Sequence, residues 1–129
     1  MEKPTNSLKR ILVVDDEPLV ASAVQMVLSF GGYAAQVVTR SRDALPKLEA
    51  GGFDLVITDF NMPEMNGDEL ALHIKARWPD LPIIMLTAYA ESLRASGKPL
   101  PGVDALLSKP FDVAELRLTV ARALAARNP

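Results

Sequence analysis

The sequence predicts an α/β fold in which a five-stranded parallel sheet, in the flavodoxin-like order 2-1-3-4-5, is covered by helices on both faces. Three observations support this prediction. Short runs rich in valine, isoleucine and leucine recur five times, helix-like stretches separate them, and most runs are continuous rather than alternating. Continuous apolar runs indicate strands buried on both faces, and their alternation with helices indicates a doubly wound sheet. The 129 residues are expected to form one domain.

Five apolar segments carry the strand prediction. They are ILVV at 11–14, AAQVVT at 34–39, DLVIT at 54–58, PIIMLT at 82–87 and DALLS at 104–108. Most of them show the unbroken apolar character that is typical of strands in a parallel sheet. We therefore expect five strands with helices between them.

The first two helices are predicted from the residues at their ends. The first covers about 18–30, because Pro18 suits a position that needs no N–H and a glycine pair begins at Gly31. The second follows Ser41, a residue type that is common at helix N-caps. Pro46 is expected to kink or shorten this second helix.

Two later helices have clearer signals. One covers about 67–78 and ends before Pro79. The last covers about 112–127, where Asp112 and Glu115 have the spacing of a capping box. Both segments are expected to pack an apolar face against the sheet.

The composition excludes several classes of protein. Hydrophobic residues make up 49% of the chain, which argues against disorder and favours a compact core. No apolar run approaches the roughly 20 residues that span a bilayer. A net charge of −2 provides no basic surface for nucleic acid or an anionic membrane. The absence of cysteine excludes disulfides and thiolate metal sites, and a cytoplasmic location is expected.

Five polar residues stand where the predicted strands end. They are Asp15, Asp16, Asp59, Thr87 and Lys109. Ligand sites in open α/β sheets form at the carboxyl ends of the strands, beside the point where strand order reverses. With the order 2-1-3-4-5, three acids, one hydroxyl and one ammonium would meet in a single crevice.

This combination of residues predicts phosphoryl chemistry. Three neighbouring carboxylates repel one another unless a cation offsets their charge, and Mg²⁺ is the hard cation that oxygen ligands suit. Asp59 can then stay ionised and act as a nucleophile toward a phosphoryl group. Lys109 and the Thr87 hydroxyl would supply positive charge and a donor for the phosphoryl oxygens.

Four segments in order, ILVVDDEP, DLVITDFNMPEMNG, IIMLTA and LLSKPF, carry a family resemblance. Over about 9–127 the chain resembles the receiver domain of bacterial two-component response regulators, the CheY-like superfamily, which leaves residues 1–8 as an N-terminal extension. The resemblance implies that Asp59 accepts a phosphoryl group from a sensor histidine kinase or a histidine phosphotransfer protein and then signals to a downstream protein. It implies no enzyme activity beyond self-phosphorylation and slow autodephosphorylation.

The resemblance also implies a ligand set for magnesium. Asp16 and Asp59 would bind the ion directly, Asp15 would act through water, and the backbone carbonyl of Asn61 would be a further ligand. Thr87 and Lys109 would contact the phosphoryl group, and the peptide bond after the lysine would be cis, as it is in the family.

Two features depart from the family. Leu106 stands where many receiver domains have an aromatic residue that couples to the threonine. The family usually has a regular fourth helix between the threonine and the fifth strand, but the segment 88–103 here, AYAESLRASGKPLPGV, contains glycines and prolines that exclude a helix through its second half. We therefore expect activation to reorder 88–103 rather than to rotate a side chain at position 106.

Two other functions were weighed. Phosphatases of the haloacid dehalogenase type also use an aspartyl nucleophile, magnesium and a lysine. Their nucleophile usually ends the first strand and is followed two residues later by an acid, whereas Asp59 ends the third predicted strand and is followed by Asn61. The other alternative is a degenerate receiver that binds partners without phosphorylation, and the intact set of polar residues argues against it.

Overall fold

The computed structural model describes residues 8–127, in which five strands alternate with five α-helices. The strands are β1 (Arg10–Val14), β2 (Ala34–Val38), β3 (Leu55–Thr58), β4 (Ile83–Thr87) and β5 (Ala105–Ser108). The helices are α1 (Pro18–Phe30), α2 (Ala44–Glu49), α3 (Gly67–Arg77), α4 (Ala90–Ser96) and α5 (Val113–Arg127). Within this range, none of the helices combines the length and apolar character needed to cross a bilayer.

The sheet is parallel throughout and has the predicted order β2-β1-β3-β4-β5. The strand order reverses at β1, which is hydrogen-bonded to β2 on one side and to β3 on the other. A crevice opens at such a reversal because the connections from the two neighbouring strands leave toward opposite faces. The predicted fold class is confirmed.

Side chains from alternate positions of the strands form two cores, one on each face of the sheet. In β1, Ile11 and Val13 pack on the face that α1 and α5 cover, whereas Leu12 and Val14 pack on the face of α2 and α3. All four are buried. Alternation of side-chain direction along a strand explains why a continuous apolar run serves both cores.

The second helix departs from its prediction at its start. Arg40 holds the N-cap position of a short 3-10 turn at Ser41–Asp43, so the prediction of Ser41 as the cap is wrong. The buried Ser41 hydroxyl instead donates to the carbonyl oxygen of Pro63, at 3.2 Å. Pro46 lies in the first turn of a helix of six residues, which confirms the predicted shortening. Its missing N–H is tolerated because first-turn N–H groups have no acceptor within the helix.

The segment after β4 and the start of α5 follow their predictions. α4 ends at Gly97, whose φ of 68° is the left-handed conformation that glycine adopts readily. The described residues 97–104 are not helical. At α5, the Glu115 N–H donates to Asp112 Oδ1 at 2.9 Å, which is the expected cap.

Candidate functional site

A cleft of about 250 Å³ opens at the carboxyl ends of the strands. It is lined by Asp16, Glu17, Asp59, Asn61, Thr87, Ala88, Tyr89 and Lys109. Asp15 joins this group through an ion pair with Lys109. All of the polar residues predicted from strand ends therefore meet in one place.

Asp59 directly follows β3 and is held firmly in the floor of this cleft. Its N–H donates to the carbonyl oxygen of Val14 at 3.0 Å, which ties it to the end of β1. Its Oδ1 accepts the Phe60 N–H at 2.6 Å, and its Oδ2 lies 3.1 Å from Lys109 Nζ. The side chain is 9% exposed. One carboxylate oxygen is thus fixed by the backbone, and the other faces the lysine.

Lys109 follows β5 and brings its ammonium to three carboxylates. Nζ lies 2.8 Å from Asp15 Oδ2, 3.0 Å from Glu17 Oε1 and 3.1 Å from Asp59 Oδ2. Burial lowers the pKa of this ammonium, but the hydrogen bonds to Asp15 and Glu17 and the nearby negative charges outweigh burial and raise its pKa. The lysine therefore remains charged across the physiological pH range. The bond between Lys109 and Pro110 is cis, as the family resemblance implied.

Asp15 is the most constrained of the acids that precede α1. Burial raises the pKa of its carboxyl, and the hydrogen bonds from Lys109 and from the Glu17 N–H lower that pKa by less. The Glu17 N–H donates to Asp15 Oδ1 at 2.9 Å. Burying this carboxylate beside the cleft therefore has a desolvation cost that its hydrogen bonds do not fully offset.

Thr87 ends β4 and is fully buried. Its Oγ1 accepts the N–H of Tyr89 at 3.2 Å, so the hydroxyl proton can be directed to an acceptor in the cleft. Tyr89 is the N-cap of α4. A movement of the Thr87 hydroxyl would therefore act directly on the start of that helix.

Gly67 begins α3 and touches the backbone that carries Asp59. Its N–H donates to the carbonyl oxygen of Phe60 at 2.7 Å. A Cβ at this position would collide with the carbonyl group of Asp59 and lie 3.1 Å from Phe60 Cα. Glycine is needed here for the close approach of the two backbones.

The acidic residues fit a magnesium ion. Asp15, Glu17 and Asp59 each have one carboxylate oxygen that lies within 4.8 Å of those of the other two. Carboxylate oxygens are ligands that magnesium prefers. Asp16 and Asn61 line the same cleft, and their direct ligation stays a prediction. Glu17 was missed by the sequence analysis, although it follows the acidic pair immediately in ILVVDDEP.

A sequence model of the family described as "Response regulator receiver domain" matches residues 11–121. The chain belongs to this receiver domain family. The predicted family is thereby confirmed, and neither the phosphatase nor the degenerate receiver is favoured. Asp59 follows the third strand, whereas phosphatases of the haloacid dehalogenase type usually carry their nucleophile after the first.

Three relatives show the range of proteins that contain this receiver domain. The response regulator protein FleR of Pseudomonas aeruginosa is 37% identical over 113 residues, 88% of this chain and 24% of FleR. Chemotaxis protein CheY-3 of Vibrio cholerae is 36% identical over 120 residues, 91% of this chain and 92% of CheY-3. The crystal structure of response regulator protein TrrA from Thermotoga maritima in complex with Mg²⁺-BeF is 35% identical, with a TM-score of 0.78 over 90% of this chain and 99% of that chain.

The length of the relatives differs widely. The chain spans 24% to 51% of the length of FleR and three other regulators that it matches, but 92% of CheY-3. The receiver fold is therefore shared with long and short proteins alike.

Proposed function

We propose that this receiver domain accepts a phosphoryl group on Asp59 from the phosphohistidine of a sensor histidine kinase or a histidine phosphotransfer protein. The observation that carries this proposal is the setting of the Asp59 carboxylate. One oxygen accepts the Phe60 N–H, and the other faces Lys109 in an open cleft. A carboxylate that is held in place beside a lysine in the floor of an open cleft is suited to nucleophilic attack.

The transfer forms one bond and breaks one. A carboxylate oxygen of Asp59 attacks phosphorus, the P–N bond to the donor imidazole breaks, and the electron pair of that bond leaves with the nitrogen. Lys109 would pair with the phosphoryl oxygens, and the Thr87 hydroxyl would donate a hydrogen bond to them. Asp59 then carries an acyl phosphate.

The acidic residues would hold magnesium during this transfer. Magnesium, when bound, offsets the negative charge that the carboxylates and the phosphoryl group share. Asp16 and Asp59 would ligate it directly with the backbone carbonyl of Asn61, and Asp15 would act through water. The complex of the relative TrrA with Mg²⁺-BeF supports magnesium as the ion.

Signalling ends when water hydrolyses the acyl phosphate. Receiver domains are not enzymes in the usual sense, and we expect only self-phosphorylation and slow autodephosphorylation from this one. Tyr89 lines the cleft and would cover part of the approach of water to Asp59. We further expect a cytoplasmic domain that acts on a downstream protein and contacts neither nucleic acid nor membrane directly.

Labelling by a small donor tests the proposal. Phosphoramidate carries a P–N bond like that of phosphohistidine, so with Mg²⁺ it is expected to add one phosphoryl group that intact-mass analysis detects and alkali removes. Asp59→Asn should abolish this adduct. Asp80→Asn removes an exposed carboxylate from outside the cleft and should leave the adduct unchanged. Labelling of Asp59→Asn at the wild-type level would exclude Asp59 as the acceptor.

A further inference from the structure

Glu17 stands at the start of α1 but pairs with Lys109 instead of capping the helix. It is the N-cap residue of α1, with φ −97° and ψ 101°, and in the part of the chain that the structure describes its carboxylate makes no capping bond. Glu17 Oε1 instead lies 3.0 Å from Lys109 Nζ. Residues 17 and 109 are 92 positions apart, so only the fold brings them together.

The Lys109 ammonium is shared by carboxylates in very different surroundings. The side chain of Glu17 is 61% exposed, whereas those of Asp15 and Asp59 are 5% and 9% exposed. Asp59 lies in the floor of the cleft, and Asp15 lies beside the cleft. Glu17 approaches the ammonium from the solvent side. Its ion pair with Lys109 therefore costs the least to break, because the freed carboxylate is hydrated rather than left buried without a partner.

A phosphoryl group on Asp59 would compete with Glu17 for the same ammonium. Lys109 has three N–H donors, and all three already have a carboxylate acceptor. A phosphoryl group that binds the ammonium must displace at least one of these acceptors or share a donor with it. Glu17 also adds a negative charge beside the place where an anion would bind.

We propose that Glu17 is a positioning residue that holds Lys109 toward the mouth of the cleft and weakens binding of the phosphoryl group to Asp59. This inference rests on the proposed function. An exposed ion pair changes an equilibrium by about two- to fivefold, so that is the range of effect expected. Glu17 acts through Lys109, and its effect requires the lysine.

The Lys109 ammonium itself provides the first measurement. Glu17→Gln keeps the length of the side chain and removes its charge. In metal-free protein, the ¹⁵Nζ resonance of Lys109 should shift in Glu17→Gln. Glu49→Gln removes a half-exposed carboxylate that pairs with Arg77 on another face, and it should leave that resonance unchanged. An identical Lys109 resonance in wild type and Glu17→Gln would overturn the proposal.

Beryllofluoride, a phosphoryl mimic, provides the second measurement, at saturating Mg²⁺. Its affinity should rise about two- to fivefold in Glu17→Gln, because the ammonium is released from a competing acceptor. In a Lys109→Met background the same substitution should have no effect. An equal gain in both backgrounds would overturn the proposal, because Glu17 would then act through its charge alone.

Magnesium titration separates positioning from direct ligation. Glu17→Gln should change the Mg²⁺ affinity far less than Asp16→Asn does. A loss as large as that of Asp16→Asn would make Glu17 a metal ligand and overturn the proposal. Failure of wild-type protein to bind beryllofluoride at all would count against the proposed function, whereas binding with no response to Glu17→Gln would count against this inference alone.

Discussion

Gly67→Ala is expected to destabilise the protein strongly, although local propensity predicts the opposite. Gly67 is the first residue of α3, and alanine is preferred over glycine in helices by roughly 0.5–1 kcal/mol. The added Cβ, however, collides with the carbonyl of Asp59. That obstacle is backbone rather than the flexible end of a side chain, so α3 and the end of β3 must separate.

The cost follows from that geometry. Overpacking in a well-packed core typically costs about 1–3 kcal/mol, and a backbone obstacle places this case near the upper end. We expect a loss of about 3 kcal/mol in the free energy of unfolding, equivalent to roughly 10 °C in Tm for a domain of this size. Because the displaced carbonyl belongs to Asp59, phosphorylation by small donors should also become slower.

Urea denaturation with a matched control measures this effect. Gly31 caps α1 with φ −81°, and a Cβ there meets its nearest atom, the Leu28 carbonyl oxygen, at 3.4 Å. Gly31→Ala should therefore be neutral or stabilising by about 0.4–1 kcal/mol. A Gly67→Ala protein with the same midpoint and slope as Gly31→Ala would refute the argument from close backbone approach.

Two further predictions concern charge and conformational change. The folded-state pKa of Asp15 is raised, so its contribution to metal-free stability is lost as pH rises from the unfolded value of 3.8 through the folded pKa. In EDTA at neutral pH, Asp15→Asn should therefore unfold at a higher temperature than wild type, and a lower Tm of the variant would contradict the pKa argument. With Mg²⁺ at 100 times Kd, the free energy of unfolding of wild type should increase by about 2.7 kcal/mol, and that of the variant by much less. Hydrogen exchange with and without beryllofluoride should change mainly over 88–103, because the Thr87 hydroxyl holds the Tyr89 N–H at the start of α4. Leu106→Tyr should leave this pattern largely unaltered, and changes confined to α5 with 88–103 silent would contradict the prediction.

Patterns of short range predicted most of the fold. Continuous apolar runs identified the five strands to within one residue at each end. Pro18 and Gly97 mark the first residue of α1 and the cap of α4, because each restricts or permits backbone conformations by its own covalent structure. Such patterns can be recognised from the sequence alone because they depend only on residues a few positions apart.

Ser41 illustrates where this reasoning fails. Its residue type predicts a helix cap, but its hydroxyl donates to Pro63, 22 positions later, in the loop after β3. The competing acceptor belongs to another element, and no local pattern encodes it. The tertiary contact therefore decided the role of this side chain.

The sequence by itself determined that acids, a hydroxyl and a lysine stand at strand ends. A parallel sheet brings those ends to one edge, so a shared site could be predicted. Only the tertiary structure decided how they meet. It brings Glu17 to within 3.0 Å of Lys109 and fits Gly67 against the backbone of Asp59. Both contacts depend on distances between elements that are set by packing of the whole domain, and such distances leave no periodic trace in the chain.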